Sequence, residues 1–153
     1  MTYEFLQYHV HDVMTPNPIF IRPTARLREV EELFETHDFN GLPVVDEQHR
    51  LLGILTKFDL LKAFRFDSHA LVPHYDDIME QPAETVMTHD PASVNPQMPL
   101  SRLLQKLLDM GTKSLPVVED GRLVGMIARE DVLKALRRTT GKHEIPVHEE
   151  PRP

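Results

Sequence analysis

Leu51-Leu52-Gly53-Ile54-Leu55-Thr56-Lys57-Phe58-Asp59-Leu60-Leu61-Lys62 returns in altered form as Leu123-Val124-Gly125-Met126-Ile127-Ala128-Arg129-Glu130-Asp131-Val132-Leu133-Lys134. Each copy begins as an apolar run of strand length and passes a glycine. It then switches at Thr56 or Ala128 to helical spacing, with an aspartate in the first helical turn. A strand that runs directly into a helix N-terminus presents unpaired backbone N–H groups, which suit a small anionic ligand.

Upstream, Val13-Met14-Thr15-Pro16-Asn17-Pro18 returns as Val86-Met87-Thr88-His89-Asp90-Pro91, an offset of 73 from Met14 to Met87. The same offset joins Pro23 to Pro96, Leu27 to Leu100, Val30 to Leu103, Phe34 to Leu107, and Leu42-Pro43-Val44-Val45 to Leu115-Pro116-Val117-Val118. It slips by one where Asp46-Glu47-Gln48-His49-Arg50 faces Glu119-Asp120-Gly121-Arg122, which reads as a change of hairpin loop.

The elements of one repeat follow from period and punctuation. Ile19-Phe20-Ile21 predicts a short strand closed by Pro23. Leu27, Val30, Leu33 and Phe34, with Leu100, Leu103, Leu104, Leu107 and Leu108, predict an amphipathic helix in each copy, ending near Asn40-Gly41 and near Gly111. Leu-Pro-Val-Val and the apolar run after it predict a β-hairpin, its proline marking an edge strand or a pair with an irregular start. The unit is β-α-β-β-α. The expected organisation is a first repeat over 1–66, a connector over 67–84 with a short helix around Tyr75 to Met79, a second repeat over 85–138, and a disordered tail over 139–153, where prolines alternate with charges.

Composition bounds the function. With 153 residues, 41% of them hydrophobic, the chain can bury a core. A formal charge of −7 opposes a sequence-independent grip on nucleic acid or on an acidic membrane surface. There is no cysteine, so disulfides and thiolate chemistry are excluded. No apolar run approaches the roughly 20 residues that span a bilayer, and the N-terminus lacks the pattern of a secretory signal. A cytoplasmic protein is expected. His9-x-His11-Asp12 has metal-ligating residue types, but nine histidines scattered over polar stretches read as solvated or hydrogen-bonded, and no metal site is expected.

Val-Met-Thr at the start, Pro-x-x-x-Leu before the helix, Gly-Leu-Pro-Val-Val or Ser-Leu-Pro-Val-Val in the hairpin, and Gly-Ile-Leu-Thr-x-x-Asp at the close resemble a tandem pair of cystathionine-beta-synthase (CBS) domains, the Bateman module. The phrases occur in order and twice, over most of the chain, the second close reading Gly-Met-Ile-Ala-x-x-Asp. The resemblance implies an α/β (α+β) fold of two pseudo-twofold related β-α-β-β-α repeats packed sheet to sheet. It also implies clefts for adenosine-containing ligands such as AMP, ADP, ATP or S-adenosylmethionine, and a homodimer that acts as a regulatory sensor.

The cleft residues have chemical roles to match. Asp59 can accept hydrogen bonds from both ribose hydroxyls. Thr56 and Lys57 suit a phosphate at the helix N-terminus. By the resemblance, Ile21, Arg22, Pro23, Leu42 and Pro43 line the adenine slot. Thr56-x-x-Asp59 is equally a helix-capping pair, worth about 1 kcal/mol in any helix. The second copy has Ala128 in place of Thr56 and sets Glu130 beside Arg129, so the counterpart site of Val94, Leu115, Pro116, Arg129 and Asp131 is expected to be the weaker one. Apolar positions around Leu60, Leu61, Phe64, Leu133 and Leu136 suit a dimer surface. The expected function is non-enzymatic nucleotide sensing that acts in trans on a partner protein; the alternative is a scaffolding dimer with no nucleotide.

Overall fold

The structure is a computed structural model and describes residues 4–65 and 74–140. The first repeat supplies α1 (Val10–Val13), β1 (Thr15–Pro16), α2 (Leu27–Thr36), β2 (Gly41–Val45), β3 (Leu51–Thr56) and α3 (Lys57–Lys62). The second supplies α4 (Tyr75–Met79), β4 (Thr88–His89), α5 (Leu100–Met110), β5 (Ser114–Glu119), β6 (Arg122–Ala128) and α6 (Arg129–Thr140). Helix α2 buries Leu27, Val30 and Phe34, and α5 buries Leu100, Leu103 and Leu107, the faces that helical spacing selects. The result is the α/β architecture expected, with two three-stranded sheets.

The strand orders are β1-β6-β5 and β2-β3-β4. Each sheet therefore draws a hairpin from one repeat and its third strand from the other. Thr15 and Pro16 pair with Met126 and Gly125, while Thr88 and His89 pair with Ile54 and Gly53. Glycine is required on the hairpin because the incoming strand comes so close. A Cβ at Gly53 would lie 2.6 Å from Met87 Sδ and 2.7 Å from the Thr88 carbonyl oxygen. At Gly125 it would lie 2.5 Å from Met14 Sδ and 3.0 Å from the Thr15 carbonyl oxygen.

This exchange corrects the expected strand at Ile19-Phe20-Ile21. Only Ile21 pairs, through an isolated parallel bridge to Val44, and Ile19 and Phe20 are exposed. The pairing ends after Pro16 because Asn17 turns with φ 48 and Pro18 has no N–H to donate. Asp90 occupies the equivalent turn in the second repeat with φ 45.

Prolines in β2 and β5 sit where they do no harm. The Pro43 carbonyl accepts from Ile21 N at 3.0 Å and Val45 N donates to Ile21 O at 3.0 Å, so the backbone polar groups of 43 and 45 face away from β3. The absent N–H of Pro43 thus falls on the outer edge. Val94 makes the same pair of bonds around Pro116, at 3.0 and 2.8 Å. The register slip is a hairpin difference, as expected: Asp120 and Gly121 turn at φ 52 and 78, whereas the longer first loop turns at His49 with φ 65.

The segments that lead into each repeat are exchanged as well. Phe5 and Val10 lie in the core of the second repeat with Leu100, Leu103 and Leu107, and Ile78, Met79 and Ala83 lie in that of the first with Leu27, Val30 and Phe34. The bridges His9 to Pro99 and Arg26 to Pro82 mark the two equivalent junctions. Residues 74–84 of the expected connector are thus the counterpart of the N-terminal segment, with a helix over Tyr75–Met79; residues 66–73 lie outside the described residues.

Two boundaries move. Helix α2 stops at Thr36 instead of near Asn40-Gly41, because His37 is extended at φ −133 and ψ 148. Helix α6 runs to Thr140, so residues 139 and 140 belong to it and not to a disordered tail: the Thr139 hydroxyl donates to Ala135 O at 2.9 Å, a bond that extends the helical pattern. The rest of the expected tail, 141–153, lies outside the described residues.

Gly53→Ala should destabilise the chain by about 1–3 kcal/mol, since the new methyl meets backbone as well as the Met87 sulfur. The midpoint of urea unfolding checks this. A midpoint equal to wild type would mean that the exchanged strand can retreat without loss.

Candidate functional site

The two aspartates that close the repeated motif occupy equivalent places and differ in what they hold. Asp59 is 3% exposed. Its Oδ2 accepts from Thr56 N at 2.9 Å and from the Thr56 hydroxyl at 3.0 Å, and Asp59 N donates back to that hydroxyl at 3.1 Å. Its Oδ1 meets Lys62 Nζ at 2.9 Å and the Thr88 hydroxyl at 3.4 Å. Both carboxylate oxygens are therefore engaged, in a complete capping box extended by an ion pair and by a contact to the exchanged strand β4.

Asp131 keeps one half of that arrangement. Its Oδ2 accepts from Ala128 N at 2.8 Å. Ala128 offers no hydroxyl, and no hydrogen bond reaches Oδ1 from any described residue. Burial pushes the Asp131 carboxyl above the usual carboxylate value, and Glu130 adds to the rise; the Ala128 N–H and the charge of Lys134 oppose it.

The exchanged strands decide what stands around each motif. Asp131 and Ala128 border a cavity of about 540 Å³ whose other wall comes from the first repeat: Thr15, Asn17, Pro18 and Ile19 on one side, Asn40, Gly41 and Pro43 on the other. Thr56 and Lys57 border a second cavity of about 690 Å³, with Ile54 and Phe58 from their own repeat and Gly111, Thr112, Lys113 and Ser114 from the other. The loop 38–41 and Ser114 line both.

The grouping expected from the resemblance is thereby rearranged. Of the first set, Thr56 and Lys57 share a cavity, Asp59 lies in a separate small hollow with Lys62 and Arg65, and Pro43 stands in the cavity of Asp131. Ile21 and Leu42 are core residues. Arg22 is exposed, with its guanidinium over the Phe20 ring and a hydrogen bond to the Asp46 carbonyl. Pro23 accepts from Glu84 N at 3.0 Å. Of the second set, Val94 and Leu115 are core, Pro116 is buried, and Asp131 alone faces its cavity. Arg129 turns away: its Nε and Nη2 donate to the carbonyls of Thr112 and Gly111 at 2.9 and 3.0 Å, capping the end of α5.

Sequence reasoning missed Thr15, Asn17 and the loop 38–41. The signal was present: a repeated Val-Met-Thr phrase beside a repeated glycine has no local reason to persist unless the two meet. The His9 and His11 rings stack at 5.8 Å beside Asp12, and among the described residues no group of three or more His, Asp or Glu could hold a metal ion.

Comparison with known proteins agrees with this fold. The CBS domain family model matches residues 10–65 and 83–138. The chain is 28% identical over 129 residues to the uncharacterized protein MJ1225 of Methanocaldococcus jannaschii, a match covering 83% of this chain and 42% of that one. It spans only 16% and 22% of two further curated relatives. Among solved structures it is similar to CBSX2 in complex with AMP, with TM-score 0.75 and 29% identity over 87% of this chain and 98% of that one. It is also similar to the CBS domain pair of MJ0100 in complex with methylthioadenosine and S-adenosyl-L-methionine, with TM-score 0.68 and 26% identity over 88% and 98%. No helix among the described residues is long and apolar enough to cross a membrane.

The raised carboxyl of Asp131 makes a pH prediction. The folded chain holds a proton there over a window that begins near the ordinary value of 3.8 and extends upward, a window in which the unfolded chain has released it. The stability this contributes is full below the window and is lost as pH rises through it. Asp131→Asn removes the titration and keeps an oxygen for Ala128 N. The melting temperature of the variant minus that of wild type should therefore increase between about pH 3 and about pH 7. A difference independent of pH would contradict the assignment.

Proposed function

The chain belongs to the CBS domain family, and from that premise we propose that it is a regulatory module that binds an adenosine-containing ligand in the cavity bordered by Asp131. The observation that carries the reading is the contrast between the two equivalent carboxylates. Asp59 has both oxygens engaged within the protein, whereas Asp131 has one anchored and one without a partner among the described residues, beside a cavity large enough for a nucleoside. A ribose diol needs such an oxygen, and a carboxylate accepts from it strongly.

The remaining walls suit the base. Ile19, Pro43 and Met126 give an apolar slot, with Asn40 and Gly41 also in its lining. Relatives support the ligand class, since CBSX2 was crystallised with AMP and the MJ0100 pair with methylthioadenosine and S-adenosyl-L-methionine. At the other motif we assign Thr56 and Asp59 to helix capping. The favoured site is thus the one that the sequence ranks second.

The proposed output is mechanical and not chemical. A ligand there touches both repeats, so it favours the relative orientation in which both walls fit, and a partner protein in the cytoplasm reads that orientation. Pairing of two copies through the outer helices, where Leu61 and Leu133 are 68% and 56% exposed, belongs to the same proposal.

The test is thermal unfolding of wild type, Asp131→Ala and Asp59→Ala with millimolar adenosine-containing ligands in turn. A ligand at about 100 times its Kd adds about 2.7 kcal/mol to the folded state, a rise of several degrees. The rise should occur in wild type and in Asp59→Ala and vanish in Asp131→Ala. No rise with any ligand would leave the scaffolding dimer as the function.

A further inference from the structure

Among the described residues the cavity bordered by Asp131 is lined by charge of one sign only. The charged lining groups are Asp38, Glu130 and Asp131, and no described lysine, arginine or histidine is among its walls. Three features that would otherwise bring a phosphate here are removed. Ala128 replaces the hydroxyl that the first motif has at Thr56. Arg129, the nearest cation in sequence, is committed to the carbonyls of Gly111 and Thr112. Lys134 and Arg138 lie in a separate hollow that shares only Asp131 with the cavity. The neighbouring cavity has the opposite balance, with Lys57 and Lys113 against Asp38.

Resting on the reading above, we propose that the Asp131 cavity selects adenosine ligands that carry no phosphate: nucleosides whose 5′ substituent is a neutral thioether or a sulfonium cation. A 5′-phosphate in this cavity meets like charge, with Lys134 acting only from the adjacent hollow and no cation among the described lining residues to bond it, and desolvating it without a donor partner adds to the penalty. A thioether escapes both effects. A sulfonium is attracted by the same carboxylates that repel the phosphate, and the attraction weakens as salt screens it. Glu130 is exposed at the mouth of the cavity, so it acts through its charge and not through packing.

Isothermal titration of the intact chain with methylthioadenosine, S-adenosylmethionine, AMP and ATP at one ionic strength tests this. The two sulfur nucleosides should bind at least tenfold more tightly than the two phosphates, and their binding should be lost in Asp131→Ala. Glu130→Lys reverses the charge at the mouth without touching the core. It should raise AMP affinity severalfold relative to that of methylthioadenosine. Unliganded melting shows whether each variant folds; if Asp131→Ala does not, Glu130→Lys still decides. AMP that binds equally to wild type and to Asp131→Ala occupies another site and agrees with the proposal, provided methylthioadenosine binding is lost in that variant. AMP as tight as methylthioadenosine in wild type, and lost in Asp131→Ala, overturns the charge selection and leaves the adenosine site standing. No binding by any of the four overturns both.

Discussion

The rest of the structure depends on the contact of two backbones at Gly53 and Gly125. A third strand can join each hairpin only if the residue it crosses has no side chain, and the methionine that precedes each incoming strand packs where that side chain would be. Because the incoming strand comes from the other repeat, neither sheet is complete within one repeat. The same exchange carries Phe5 and Val10 into one core and Ile78, Met79 and Ala83 into the other. Hydrophobic burial is the dominant favourable term in folding, and here much of it lies between repeats.

A consequence is that a cavity beside either motif has walls from both halves. Asp131 looks across at Thr15, Asn17 and Pro43, and Thr56 looks across at Lys113 and Ser114. Near-symmetry of the backbone therefore does not give symmetry of chemistry. At 131 the carboxylate keeps a spare oxygen, because neither Lys134 nor Thr15, the counterparts of Lys62 and Thr88, bonds it, and Ala128 removes the hydroxyl from the other oxygen. The equivalent carboxylate at 59 is held by a hydroxyl, a backbone N–H and Lys62. A buried, fully bonded carboxylate has no acceptor left to offer; a half-bonded one beside a cavity keeps one.

Much of the fold was legible in the sequence because its signals are local. Helical spacing at Leu27, Val30 and Phe34, the glycine at 111 with its left-handed φ of 62, and the Asp120-Gly121 turn each follow from a few neighbouring residues. What was not legible is long-range. Thr15 and Pro16 have no strand pattern of their own and pair only because a glycine lies 110 and 109 positions away, at Gly125, or beside it. The state of the two aspartates could not be read from the sequence for a related reason. Thr56 reads as a ligand for phosphate or as a cap, and only the positions of Lys62 and Thr88 around Asp59 show how fully that cap is closed. The aspartates were legible as the important pair; which of them has an oxygen to offer was not.

The exchange also bears on ancestry. The bridges His9 to Pro99 and Arg26 to Pro82 are related by the same offset as Met14 and Met87, so contacts between the halves obey the same pseudo-twofold as the halves themselves. Such contacts are isologous, the kind that two identical chains make across a dyad. A half-length chain with one repeat would fold by lending its leading strand to a twin and accepting the twin's in return. Joining two such genes end to end would preserve every contact while freeing the halves to diverge. Thr56 and Ala128 record one step of that divergence, which a symmetric pair of identical chains could not have taken at one site alone.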